Sequence, residues 1–91
     1  MLNFSELSLP QKRIIKQMRE CAVLKYNRYT DTFLLSDGQF CTKVNNATAS
    51  SLNMRHFIIE CFRDEQFIQF CANISINYGK YKDEHNKIIG C

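Results

Sequence analysis

The sequence predicts a single small α+β domain with the order helix, hairpin, helix, hairpin. Two observations predict it: an apolar stripe with helical spacing near the N-terminus, and Asp37-Gly38 between two runs of strand-forming residues. A chain of 91 residues leaves no room for a second independent core, so one domain is expected over residues 1–91. With 45% hydrophobic residues, the chain has enough apolar material to fold without disulfides or metals.

The first helix is predicted from a capping box and an apolar stripe. Ser8 suits the N-cap, and Gln11 three residues later completes the capping-box pattern. Pro10 is tolerated in the first turn of a helix. Apolar residues then recur at helical spacing, at Ile14, Ile15, Met18 and Ala22. We therefore predict a helix over about 9–21.

Two hairpins are predicted from apolar runs around polar turns. Asp37-Gly38 between residues 33–36 and 39–44 is the stronger signal, and a type I′ turn there would need positive φ at both residues. Residues 57–63 and 66–72 form the second pair of runs, around Asp64-Glu65. Residues 23–26 are also rich in strand formers.

A short second helix is expected between the hairpins. Asn45-Asn46 offers an N-cap, and Ala49 and Leu52 are expected to face the core. Residues 73–79 fit a strand or a helix equally well. Residues 80–87 are rich in charge, and we expect residues 80–91 to form a mobile tail.

The composition indicates an intracellular protein. No apolar stretch approaches the roughly 20 residues of a membrane span, and the N-terminus lacks the blocks of a signal peptide, so we expect no membrane partner and a cytoplasmic location. The formal charge of +3 permits an acidic partner without requiring one. We expect free and mostly buried thiols at the five widely spaced cysteines, Cys21, Cys41, Cys61, Cys71 and Cys91.

Positive charge is concentrated on the first helix. Lys12, Lys16 and Arg19 fall at helical spacing on one face, with Arg13 beside them, opposite the apolar stripe. Each of these side chains can neutralise one phosphate of a nucleic acid. The alternative is a solvated helix face in which Glu20 pairs with Lys16.

The second helix and the second hairpin supply further candidates for nucleic-acid contact. Short polar side chains around one arginine suit phosphates and base edges, but they suit helix capping and solvation equally well. The candidates are Asn46, Ser50, Asn53, Arg55 and, near the turn of the second hairpin, Arg63. Asp64 and Glu65 occupy that turn, where negative charge would repel a phosphate backbone.

No catalytic site, metal site or cofactor is predicted. His56 and Cys61 are five residues apart and no Cys-x-x-Cys occurs, whereas structural zinc sites bring ligands in close pairs. No cysteine or histidine lies in a nucleophile motif, and no phosphate-binding or dinucleotide-binding glycine pattern is present. An enzyme is therefore not expected.

Some of these segments carry a family resemblance. They are residues 9–15 at the start of the first helix, 35–38 before Lys43-Val44, Thr48 leading to Leu52, and Phe57-Ile58. In this pattern, over about residues 8–72, the chain resembles small winged-helix-like proteins of bacterial mobile elements, of which the YjhX family is an example. The resemblance implies a winged-helix architecture and a DNA-binding role.

Three functions therefore stand as hypotheses. The first is a small DNA-binding regulator of winged-helix type, in which the first helix contacts phosphates. The alternative is a phage or mobile-element protein that binds and inhibits a host protein complex through its aromatic residues or a hairpin edge. A homodimer formed by edge-to-edge pairing of hairpins is the third possibility.

Overall fold

The computed structural model describes residues 2–79, and its elements confirm the α+β class. A 3-10 turn over Phe4–Glu6 precedes two helices and five strands. These elements are α1 (Leu9–Arg19), β1 (Val23–Asn27), β2 (Thr32–Ser36), β3 (Cys41–Val44), α2 (Asn46–Met54), β4 (Ile58–Arg63) and β5 (Phe67–Ala72). The tail predicted over residues 80–91 lies outside the described residues.

The five strands form one antiparallel sheet in the order β3-β2-β1-β5-β4. Both predicted hairpins are present, as β2–β3 and β4–β5. However, three strands lie between α1 and α2, so the pattern differs from helix–hairpin–helix–hairpin and does not confirm a winged-helix topology. The additional strand, β1, lies at the centre of the sheet, where Leu24 pairs with Leu35 on β2 and with Phe70 on β5.

The capping box predicted for α1 is present. The Ser8 hydroxyl accepts a hydrogen bond from the Gln11 backbone N–H (3.4 Å), and the Gln11 side-chain oxygen accepts one from the Ser8 N–H (3.0 Å). These two bonds satisfy backbone donors that a helix start leaves without partners. At the other end, Cys21 has φ +79°, a left-handed conformation that ends the helix shortly after Arg19.

The second helix begins at the predicted cap. The Asn45 side-chain oxygen accepts hydrogen bonds from the backbone N–H groups of Ala47 (2.9 Å) and Thr48 (3.2 Å). As predicted, Ala49 and Leu52 are fully buried. Packing of this narrow stripe holds in place a helix that is weak in isolation.

The two hairpin turns are built in the same way, around an aspartate. The Asp37 carboxylate accepts hydrogen bonds from the N–H groups of Gln39 (2.9 Å) and Phe40 (2.8 Å), and Gly38 alone within this turn has positive φ, +97°. The predicted type I′ turn is therefore wrong, because the central residues are Gly38 and Gln39 and not Asp37 and Gly38. Asp64 makes the equivalent bonds in the second turn.

Neutralising both turn aspartates is expected to flatten the loss of stability in acid. Backbone hydrogen bonds hold the pKa of Asp37 and of Asp64 below the usual range. A lowered pKa contributes stability that is present above the unfolded-state value of about 3.9 and is lost as the pH falls through the folded-state pKa. Urea unfolding from pH 6 to pH 2 should therefore show a smaller decline for Asp37→Asn/Asp64→Asn than for the wild type. An unchanged decline would contradict the turn geometry.

Both helices pack on one face of the sheet, and the core lies between these two layers. The largest fully buried side chains come from every layer: Phe4, Ile15, Leu24, Leu52, Phe57 and Ile58. Residues after β5 also take part, because Ile76 and Tyr78 are buried. Backbone hydrogen bonds of Asn77 with Phe4 (2.9 Å) and with Leu2 (2.7 Å) join this segment to the start of the chain.

The four cysteines within residues 2–79 lie at the surface, contrary to the expectation of mostly buried thiols. Cys41, Cys61 and Cys71 are free and exposed, because each points away from the helices. Cys21 is exposed and disulfide-bonded, so the free thiol predicted there is wrong. Among the described residues, no helix has the length and apolar character needed to cross a membrane.

Candidate functional site

Lys12, Lys16 and Arg19 extend along one side of α1, as their spacing predicted. The buried side of α1 is formed by Gln11, Ile14, Ile15 and Met18. At about 100° per residue, Arg13 lies about 60° farther around the helix than Lys16. Arg13 and Lys16 are exposed, whereas Lys12 and Arg19 are half-buried. The four cations therefore share one continuous solvent-facing surface, which we call the α1 basic surface.

Two of these cations also contact aromatic rings. The Arg19 guanidinium carbon lies 3.9 Å from the centre of the Tyr78 ring, and the Lys12 ammonium lies 5.9 Å from that of Phe4. The two rings pack against each other at 5.4 Å. Burial raises the pKa of Tyr78, while its hydrogen bond with Arg19 acts in the opposite direction. Lys12 and Arg19 therefore cover the core as well as carrying charge.

A groove extends from the α1 basic surface around the N-terminus of α2. Its first part has a volume of about 240 Å³ and lies between Arg13 on α1, Lys43 on β3 and Thr48 on α2. Its second part, of about 520 Å³, shares Lys43 with the first and continues to Asp31 and Asn46. The Arg13 cation thus lies at the beginning of the groove, and the Asp31 carboxylate lies at its far end.

The groove leads to a cleft between α2 and the sheet. This cleft has a volume of about 330 Å³, within the lower range of small-ligand pockets. Four of the predicted site residues line it: Asn46, Ser50 and Asn53 on one side of α2, and Arg63 on β4. Its apolar lining consists of Phe33, Ile68, Phe70 and the ring of Tyr26.

The charged groups of the cleft are paired. Arg63 donates two hydrogen bonds to the Glu60 carboxylate, at 2.7 Å and 3.2 Å, which lowers the pKa of Glu60. The Tyr26 hydroxyl donates to the Asp31 carboxylate, and this bond raises the pKa of Tyr26. The Asn46 amide donates to the backbone carbonyl of Asp31 at 2.8 Å. A phosphate could therefore reach Arg63 only in competition with Glu60.

Arg55 lies apart from the other predicted residues of α2. It forms an ion pair of 3.5 Å with Glu6, and its guanidinium carbon lies 5.1 Å from the centre of the Phe57 ring. Both partners lie away from the cleft, and Arg55 is absent from the cleft lining. The nine predicted residues are thus divided between the α1 basic surface, the cleft and the end of α2.

The face of the sheet opposite the helices was not singled out from the sequence. Alternation along the strands points Leu34, Ile59, Phe67 and the lysines Lys25 and Lys43 to that side. We call this surface the outer face. The sequence signal for the outer face is the alternation of buried and exposed positions within β1 and β2. This alternation identifies the face only once β1 is known to be a central strand.

No family model, curated protein or solved structure matches this chain. Within residues 2–79, no three or more His, Cys, Asp or Glu side chains are grouped in a way that would hold a metal ion.

Proposed function

We propose that the protein is a small DNA-binding regulator whose first helix contacts phosphates. One observation carries this proposal: residues 9–19 of α1 include four Lys or Arg and no Asp or Glu, and all four cations reach the solvent side of the helix. A surface of this kind attracts a polyanion and gains affinity from counterion release. Phosphate contacts do not depend on the base sequence of the DNA, so they account for retention on DNA and not for the choice of a binding site.

The groove extends the phosphate-contacting surface beyond α1. Arg13 on α1 and Thr48 on α2 lie on either side of its first part. A DNA backbone that contacts Arg13 can therefore follow the groove to the N-terminus of α2, where the helix dipole favours anions. The carboxylate of Asp31 sets the far limit of this path.

The polar side of α2 supplies the groups in this proposal that can read bases. Asn46, Ser50 and Asn53 all line the cleft next to the groove. Amide side chains can donate to and accept from a base edge at the same time, and adenine is their best partner. Base contact in this proposal therefore depends on α2, while affinity depends on α1.

The second hairpin has no phosphate-contacting role in this proposal. Arg63 is paired with Glu60, and Asp64 and Glu65 are exposed at its turn. Negative charge there repels a DNA backbone. Of the winged-helix mode of DNA binding, the proposal keeps the contact through α1 and α2 and omits the contact through a wing.

Binding of the wild-type protein to DNA is expected to fall steeply with salt. Three or four phosphate contacts predict a loss of about 40- to 150-fold in affinity between 50 mM and 200 mM salt. Fluorescence anisotropy with a labelled duplex of about 20 base pairs measures this directly. No detectable binding at the lower salt concentration would overturn the proposal.

A second function is favoured by the outer face. Ile59 is 41% and Phe62 52% exposed, and Leu34 and Phe67 are half-buried beside two lysines. An apolar surface of this kind suits a protein partner, so binding and inhibition of a host protein complex is the second candidate. Its affinity would change little with salt, which separates it from a phosphate-contacting mode.

A further inference from the structure

Two cysteines lie side by side on the β4–β5 hairpin. In the register of this hairpin, Cys71 pairs with Ile59, and a β-bulge between Glu60 and Phe62 includes Cys61. The bulge places one extra residue opposite Gln69 and lets the Cys61 side chain reach the same outer face as Cys71. Both thiols are free and exposed.

Each of the two thiols reaches across the hairpin to the opposite strand. Cys61 Sγ lies 3.5 Å from the Gln69 carbonyl, and Cys71 Sγ lies 3.8 Å from the Ile59 carbonyl. The Cys61 thiol is also close enough to contribute to the raised pKa of the Cys71 thiol. β4 is an edge strand, so the small adjustment needed to join the two sulfurs meets no further strand.

We propose that Cys61 and Cys71 form a dithiol modification site, which a small-molecule disulfide such as oxidised glutathione converts to an intramolecular disulfide. One protein thiolate attacks the small disulfide, forming a mixed disulfide and releasing one small thiol. The second protein thiolate then attacks the mixed disulfide and releases the other. The protein loses two electrons and two protons, and the small disulfide gains both.

Cys61 makes the first attack. Although Cys71 is an exposed residue, desolvation of its sulfur, together with the neighbouring Cys61, raises its pKa to about 11. Because the thiolate is the nucleophile, Cys71 is a slow first attacker near neutral pH. It is nevertheless held next to the mixed disulfide that forms on Cys61, so it completes the second step within the same molecule.

Peptide mapping tests the proposal on the full chain. Trypsin is expected to place Cys61 in residues 56–63 and Cys71 in residues 64–80. After incubation with oxidised glutathione, these two peptides should appear joined, with a mass about 2 Da below the sum of the two reduced peptides. Cys41→Ser is the control, because Cys41 lies on β3 and its removal should leave the joined peptides unchanged.

The single variants separate the two steps. Cys71→Ser should accumulate glutathione on Cys61, and Cys61→Ser should react several-fold more slowly at Cys71. Separate glutathione adducts on both cysteines of the wild type, or joined peptides found only in a dimer, would overturn the proposal.

Discussion

Replacing Arg13 and Lys16 together by glutamine is expected to weaken DNA binding by about tenfold or more at 50 mM salt. Both side chains are exposed on α1, and Arg13 also lines the groove. The slope of log affinity against log salt should become shallower by about 1.8, because each lost phosphate contact removes about 0.9. Glutamine keeps the helix propensity and part of the aliphatic stem, so α1 should remain folded.

A second double variant, Lys25→Gln/Arg28→Gln, makes the comparison specific. It removes the same net charge from β1 and the β1–β2 turn, away from α1. Its effect on affinity should be much smaller than that of Arg13→Gln/Lys16→Gln, and circular dichroism should show that both variants are folded. Equal losses in the two variants would mean that overall charge, and not the α1 basic surface, determines binding.

The local elements were predicted from the sequence because their signals are local. The Ser8–Gln11 capping box and the polar turn at Asp64 each lie within a few residues. The central position of β1 depends instead on pairing between Leu24 and Phe70, 46 residues apart in the chain. No periodicity within residues 23–27 encodes a partner at that distance, and this is why the order of elements was only partly predicted.

The candidate site, too, was predicted where its signal is local and missed where it depends on pairing between strands. Helical spacing alone placed the cations of α1 on one surface. In a regular strand, Glu60 and Arg63 would point to opposite faces, because side chains alternate. The β-bulge between Glu60 and Phe62 shifts the register by one and allows the ion pair. A bulge has no clear sequence signal here, so both the pairing of Arg63 and the proximity of Cys61 and Cys71 were missed.

The largest effect on stability is expected from Phe57→Ala. Phe57 is 1% exposed and lies between α2 and β4. Its backbone N–H donates to the Leu52 carbonyl, and its carbonyl accepts from Asn73, both at 2.9 Å. Truncation removes a buried ring and leaves a cavity, which typically costs about 3–5 kcal/mol. That is a large share of the roughly 5–15 kcal/mol that stabilises a small domain.

Phe40→Ala is the matched control for that substitution. Phe40 is 71% exposed in the β2–β3 turn, and its contribution to the turn is a backbone N–H bond that alanine retains. Urea unfolding should therefore give a change below about 0.5 kcal/mol for Phe40→Ala. The same experiment should give a loss of about 3–5 kcal/mol for Phe57→Ala. A loss below about 1 kcal/mol for Phe57→Ala would mean that its ring is not in the core. In that case α2, which carries the cleft residues, would not be held against β4 as described.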